Sequence, residues 1–160
     1  MTKISPTLEE RVLIQELCAR YAWALDTADT EGYAACFTED AVVRDLHASD
    51  KAIVGRQAIY DYAKWRWHSD PNWAGRQHHL DQTIFEADPE GRPDHWHMKS
   101  YCWAFDYQRH TRGNAFFVGY YFDTVAKVDG EWLFRERLFG EWMGDILKAF
   151  PGHEHRMGHR

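Results

Sequence analysis

Phe122-Asp-Thr-Val-Ala-Lys-Val-Asp-Gly-Glu-Trp-Leu-Phe-Arg-Glu-Arg137 consists of two apolar runs joined by Asp129-Gly130. An Asp-Gly pair in that setting is the strongest short-range signal of a β-hairpin. Working outward, the segments 77–87, 95–109, 114–128 and 131–142 are all rich in aromatic and β-branched residues. Asp88-Pro-Glu-Gly91 and Arg112-Gly-Asn114 separate them as turns. Upstream the period changes. Thr7 and Glu10 have capping-box spacing, and Leu13, Ile14, Leu17, Cys18, Tyr21, Ala24 and Leu25 recur at three- and four-residue steps, which predicts a helix over 7–25. A short helix capped by Asp29 or Thr30 and running to Phe37, a strand over 41–45, a turn-rich stretch over 47–51 and a helix over 57–67 follow. Helices first and a long meander afterwards predict an α+β fold, with helices covering one face of a bent antiparallel sheet. Residues 1–150 read as one domain and the polar, His-rich 151–160 as a tail.

Leu, Ile, Val and Phe make up only 31 of 160 residues, near the ~20% level that can signal disorder. Eight Trp and eight Tyr fill the gap, so the core depends on large rings with polar handles, groups suited to the wall of a cavity holding an organic ligand. A net charge of −6 argues against a nucleic-acid partner, which needs a clustered basic face. No apolar run is long enough to span a membrane, and the N-terminal stretch lacks the apolar segment of a signal peptide. Cys18, Cys36 and Cys102 form no disulfide framework and no C-x-x-C motif, which fits a reducing, cytoplasmic setting.

Three segments carry a family resemblance: Ile14-Gln-Glu-Leu-Cys-Ala-Arg-Tyr-Ala-Trp-Ala-Leu-Asp26, Ile53-Val-Gly-Arg-Gln-Ala-Ile59 and Asp129-Gly-Glu-Trp-Leu-Phe-Arg-Glu-Arg137. In order and spacing they resemble the SnoaL-like branch of the nuclear transport factor 2-like superfamily, over roughly residues 7–142. The resemblance implies a cone of strongly bent sheet closed by helices around a deep pocket. It also implies kinship with scytalone dehydratase, hexachlorocyclohexane dehydrochlorinase, bile-acid dehydratase, polyketide cyclases and non-catalytic binding proteins.

The same resemblance singles out residues. Asp26, at the end of the first helix, matches the acid that partners a catalytic His. His79, opening the strand 77–87, matches that His, with His78 as the alternative should a bulge reverse the strand. A neutral imidazole suits proton abstraction near neutral pH, and a carboxylate on its other nitrogen fixes the tautomer and stabilises the imidazolium. Arg137 matches an Arg that faces the cone, where a guanidinium holds a leaving group or oxyanion. Tyr21 and His97 are candidate catalytic or substrate-binding groups. Trp23, Tyr101, Trp103, Tyr120 and Phe139 are candidate substrate-binding rings. His95-Trp-His97 lacks the further ligands of a metal site, so neither metal nor cofactor is expected.

The first function expected is a cofactor-free lyase removing water, halide or formaldehyde from a bulky aromatic or polycyclic small molecule. An isomerase or aldol-type cyclase would use the same base. A non-enzymatic role, as the small subunit of a ring-hydroxylating dioxygenase or a ligand-binding module, is the third. Rings on both faces of the sheet predict a homodimer or homotrimer assembled through the outer face.

Overall fold

Helix α1 spans Leu8–Asp26. Its start is the expected capping box: the Thr7 hydroxyl accepts from the Glu10 amide at 3.2 Å and the Glu10 carboxylate accepts from the Thr7 amide at 2.7 Å. The helix buries Ile14, Leu17, Tyr21, Ala24 and Leu25, the three- and four-step stripe. Asp29 caps the short α2 (Thr30–Ala35) by accepting from the Gly32 amide at 2.9 Å. Strand β1 (Phe37–Asp45) begins four residues earlier than the sequence predicts, and β2 (Ala52–Val54) pairs with it. Helix α3 (Arg56–Ala63) passes into a π-helical turn, Lys64–His68. Four strands complete the chain: β3 (Arg76–Ala87), β4 (His95–Asp106), β5 (Asn114–Val128) and β6 (Glu131–Glu141). This computed structural model describes residues 5–46, 51–71, 73, 75–106 and 114–142. The expected 151–160 tail with its histidines, and most of the 47–51 and 112–114 turns, lie outside the described residues.

The strands form one six-stranded sheet in the order β2-β1-β6-β5-β4-β3. It is mixed rather than purely antiparallel, because β1 runs parallel to β6. The hairpin between β5 and β6 turns on Asp129 (φ 51°) and Gly130 (φ 88°), both left-handed as the tightest hairpin turn requires. Helix α1 packs on one face over a core that includes Phe37, Val43, Met98, Cys102, Tyr121, Val125 and Phe134.

Two bulges decide which side chains look inward. On β3, Asp81 lies opposite Tyr101 and Ile84 opposite Lys99, so Gln82 and Thr83 together face one residue of β4; Gln82 has φ 55°. On β6, Arg135 is the extra residue between the partners of Val125 and Thr124. An extra residue reverses the alternation of everything on its far side. Hence Phe134 and Arg137 share the inner face although they lie three positions apart, and so do His78, Leu80 and Phe85.

Candidate functional site

Asp26 is the last residue of α1, and its carboxylate grips one residue of β3 twice. Oδ2 accepts from the backbone N–H of His78 at 2.8 Å, and Oδ1 lies 2.5 Å from the ring Nδ1 of the same residue. An ionised carboxylate only accepts, so Nδ1 carries the proton and Nε2 is the basic nitrogen. The pair is largely enclosed, with side-chain exposures of 10% for His78 and 16% for Asp26. Trp73 lies against the imidazole (centroids 5.9 Å apart, 21° between planes), and its indole N–H donates to the Leu25 carbonyl at 2.6 Å. Helix end, edge strand and loop thus fix one histidine together.

His78 stands in the wall of a cavity of about 270 Å³. Tyr21 and Leu25 come to it from α1, Asp45 from β1, Trp67 and Arg66 from the π-helical turn, and Phe117, Tyr121 and Phe139 from β5 and β6. On the other side of the dyad an open groove of about 1190 Å³ runs between α1 and β3. Asp26 and His78 both border it. The dyad therefore forms a partition between cavity and groove.

The sequence-derived positions separate as follows. Asp26, Tyr21 and Phe139 reach the cavity or its dyad. His79 does not: it points to the opposite face and stacks on Trp103 (4.2 Å, 11°), because the bulge at Gln82–Thr83 reverses the parity of β3. Trp103 and Tyr101 share that outer face, where Tyr101 is 48% exposed and packs on Trp142. Tyr120 lies opposite Tyr101 and packs against Phe122 and Trp142. Trp23 is 73% exposed on α1 and borders the groove. His97 is also on the outer face, its Nε2 3.1 Å from Asp88. Asp88 binds Arg92 through two side-chain contacts, at 3.1 and 2.6 Å, and these hold its carboxyl far below the usual range despite its enclosure.

Arg137 faces inward but is absent from the cavity wall. Its Nε and Nη2 each donate to Asp123 at 2.8 Å, and both side chains are fully buried. The guanidinium carbon lies 4.1 Å from the ring centroids of Tyr21 and Tyr121 and 3.8 Å from that of Phe134. Burial works against its charge, but Asp123 beside it more than offsets this and raises the pKa well above the ordinary arginine value. Its place is behind the cavity, bracing Tyr21 and Tyr121. Those two phenols line the wall, and burial raises the pKa of both, so at neutral pH they are donors. Burial likewise pushes the Cys18 thiol up to about 12 and the Cys36 and Cys102 thiols to about 11, away from the reactive thiolate.

Asp45, Trp67, Trp73 and Tyr121 are cavity residues that the sequence did not single out. For Asp45 a signal existed: Ala41, Val43 and Asp45 alternate on one face of β1, and all three are buried. For Trp67 none did, because a π-helical turn breaks the helical period that would place it. Among the described residues no helix is long and apolar enough to cross a membrane, and no group of three or more His, Cys, Asp or Glu side chains is gathered for a metal.

A family model for a SnoaL-like domain matches residues 6–138. Among solved structures, a candidate scytalone dehydratase from Novosphingobium aromaticivorans is 27% identical with a TM-score of 0.67; the match covers 85% of this chain and 86% of that one. ActVI-ORFA from Streptomyces coelicolor is 23% identical, TM-score 0.73, covering 84% and 98%. A protein of unknown function with a cystatin-like fold from Nostoc punctiforme is 24% identical, TM-score 0.69, covering 85% and 93%. The last two bear on fold alone. No functionally curated protein matches.

Proposed function

Since the chain belongs to the SnoaL-like domain family, whose fold and neighbours fit a small-molecule-binding enzyme, we propose that it is a cofactor-independent lyase of the dehydratase type. The observation that carries this reading is the double grip of Asp26 on His78 at a cavity wall. His78 Nε2 removes a proton from a carbon beside a carbonyl, and Asp26 stabilises the imidazolium that results. Tyr21 and Tyr121 are phenol donors for the oxyanion that develops. Loss of a β-hydroxyl as water, with the proton returned from His78, completes the elimination.

Cavity size narrows the substrate. About 270 Å³ falls just below the ~300–1,000 Å³ usual for small-molecule sites. With Trp67, Trp73, Phe117 and Phe139 around it, the space suits one or two fused rings better than a larger polycycle. The outer face, with Tyr101, Val118 and Trp142 exposed, is assigned to a second copy of the chain; a monomer at micromolar concentration in sedimentation would remove that assignment.

The direct test uses 1-tetralone in D₂O, with α-proton exchange followed by NMR. The protein should accelerate exchange, and His78→Ala should lower the catalysed rate by ~10²–10⁴-fold with the fold intact. Equal rates for the variant and the parent would exclude the dyad. The same abstraction could open an isomerisation or an aldol cyclisation, and product analysis on a β-hydroxy ketone separates these from elimination.

A further inference from the structure

Of the described side chains that line the His78 cavity, Arg66 alone is exposed, so the cavity meets solvent at a guanidinium. The other charged groups of the wall have partners. Arg76 lies 4.0 Å from Asp70 and 3.9 Å from Asp106, and Tyr62 donates to Asp45 Oδ2 at 3.1 Å. Among the described residues no carboxylate lies within ion-pair distance of Arg66. In a chain with 25 acidic residues against 19 Lys and Arg, a cation left unpaired beside a cavity stands out.

Arg66 and Trp67 both reach the cavity from the π-helical turn Lys64–His68. Such turns are rare and frequently mark functional sites. This one brings two unlike groups to one space. Trp67 packs edge-on against Tyr62 (5.3 Å, 87°) and stacks on Trp73 (6.0 Å, 29°), while Arg66 stays at the solvent side. Burial first, and then the charge of Asp45, pushes the Tyr62 phenol up to about 12, and Arg66 acts in the opposite sense. The guanidinium is thus felt on the cavity side of the turn. Behind it the wall is Tyr21, Leu25, Phe117, Tyr121 and Phe139. Rings within and one unpaired cation at the mouth fit a ligand that enters ring first and leaves an anion outside. A carboxylate matches the fork of a guanidinium with two parallel hydrogen bonds.

We propose that Arg66 is a specificity-determining residue that binds the carboxylate of a ring-bearing acid whose ring occupies the His78 cavity. The inference rests on the reading of that cavity as the substrate site and adds a charge to its ligand. With a net charge of −6 the chain as a whole repels anions, so the preference for an acid has to arise locally. An ester of the same shape offers the guanidinium no charge to pair with, and the acid does.

The test is a matched pair of probes, 1-tetralone-6-carboxylate and its methyl ester, titrated at neutral pH against the full chain by tryptophan fluorescence, with Trp67 and Trp73 in the wall as reporters. The parent should bind the acid about five- to tenfold more tightly, a difference within reach of a charge-assisted hydrogen-bonded pair at a solvent edge. Added salt should shrink that preference. Arg66→Gln, at an exposed position where the fold should survive, should bind acid and ester equally. Arg66→Lys should keep part of the preference, because a point charge remains and the fork is lost. His78→Ala should keep the preference while losing α-proton exchange on the keto acid, so failure of the base and failure of the anchor are read separately. Equal affinities in the parent, a preference that survives Arg66→Gln, or no binding of either compound would each overturn the inference.

Discussion

Two carboxylates hold two basic side chains on the inner face of this sheet, and they have opposite surroundings. Asp123 and Arg137 are sealed at zero side-chain exposure, with three rings around the cation. Asp26 and His78 keep 16% and 10% exposure and divide a cavity from a groove. A sealed pair cannot meet a substrate, whatever its charge. A partly exposed pair beside a cavity can. Access, more than residue type, separates a pair that can only brace the fold from one placed to meet a ligand.

That contrast is broken most sharply at the dyad. Asp26→Asn should lower α-proton exchange by ~10²–10⁴-fold, close to the loss in His78→Ala, because the amide no longer dictates the tautomer. Circular dichroism should show both variants folded; near-parent exchange by Asp26→Asn would separate the acid from the base. At the sealed pair the effect should move from rate to stability. Arg137→Ala strands Asp123 and should destabilise by ~3–5 kcal/mol, seen as a melting temperature lower by on the order of 10 °C. Arg137→Met with Asp123→Leu should recover most of that loss. A single variant that melts like the parent would mean Arg137 braces nothing.

Acid sharpens the comparison less. Burial lowers the pKa of His68, which sits 2.8 Å from Thr30 beside the Trp73 that covers His78, and of His95, where burial acts first and the charge of Arg92 second. Both have an ordinary value of 6.5, so below that pH the unfolded chain takes up protons that the folded chain refuses. Their stabilisation is present above pH 6.5 and declines as the pH falls below it. The melting temperature should therefore drop between pH 7 and pH 5, and His68→Gln should flatten part of the drop. The smallest effect belongs to His79→Ala: loss of a stacking contact with Trp103, exchange changed by less than about twofold. A loss comparable to that in His78→Ala would place the chemistry on the wrong face.

Much of the fold was legible in the sequence because local rules acted without competition: the capping box at Thr7, the stripe from Ile14 to Leu25, and the Asp129-Gly130 turn all formed as read. Asp26 was singled out by the family resemblance and not by a local rule; the structure places it at the end of α1, bonded to His78. The choice between His78 and His79 was not legible, because strict alternation carried from Gln77 through Phe85 ignores the residue added at Gln82. His97 was singled out by resemblance, and it lies with Tyr101 and Trp103 on the outer face of β4, where Trp103 is opposite His79. The buried side of Asp45 was readable in the alternation of β1, but its meeting with His78 across the bent sheet was not, and Trp67 arrives by a π-helical turn that no short-range pattern encodes.

The doubled-up residue pair on β3 gives the strand two anchors that agree only because it is there: His78 tied to Asp26, and Phe85 sunk in the core. Removing Gln82 would set them against each other, and either the phenylalanine surfaces or the imidazole turns its back on its acid. A single deletion, with every polar group of the site still encoded, would pull the Asp26–His78 contact apart.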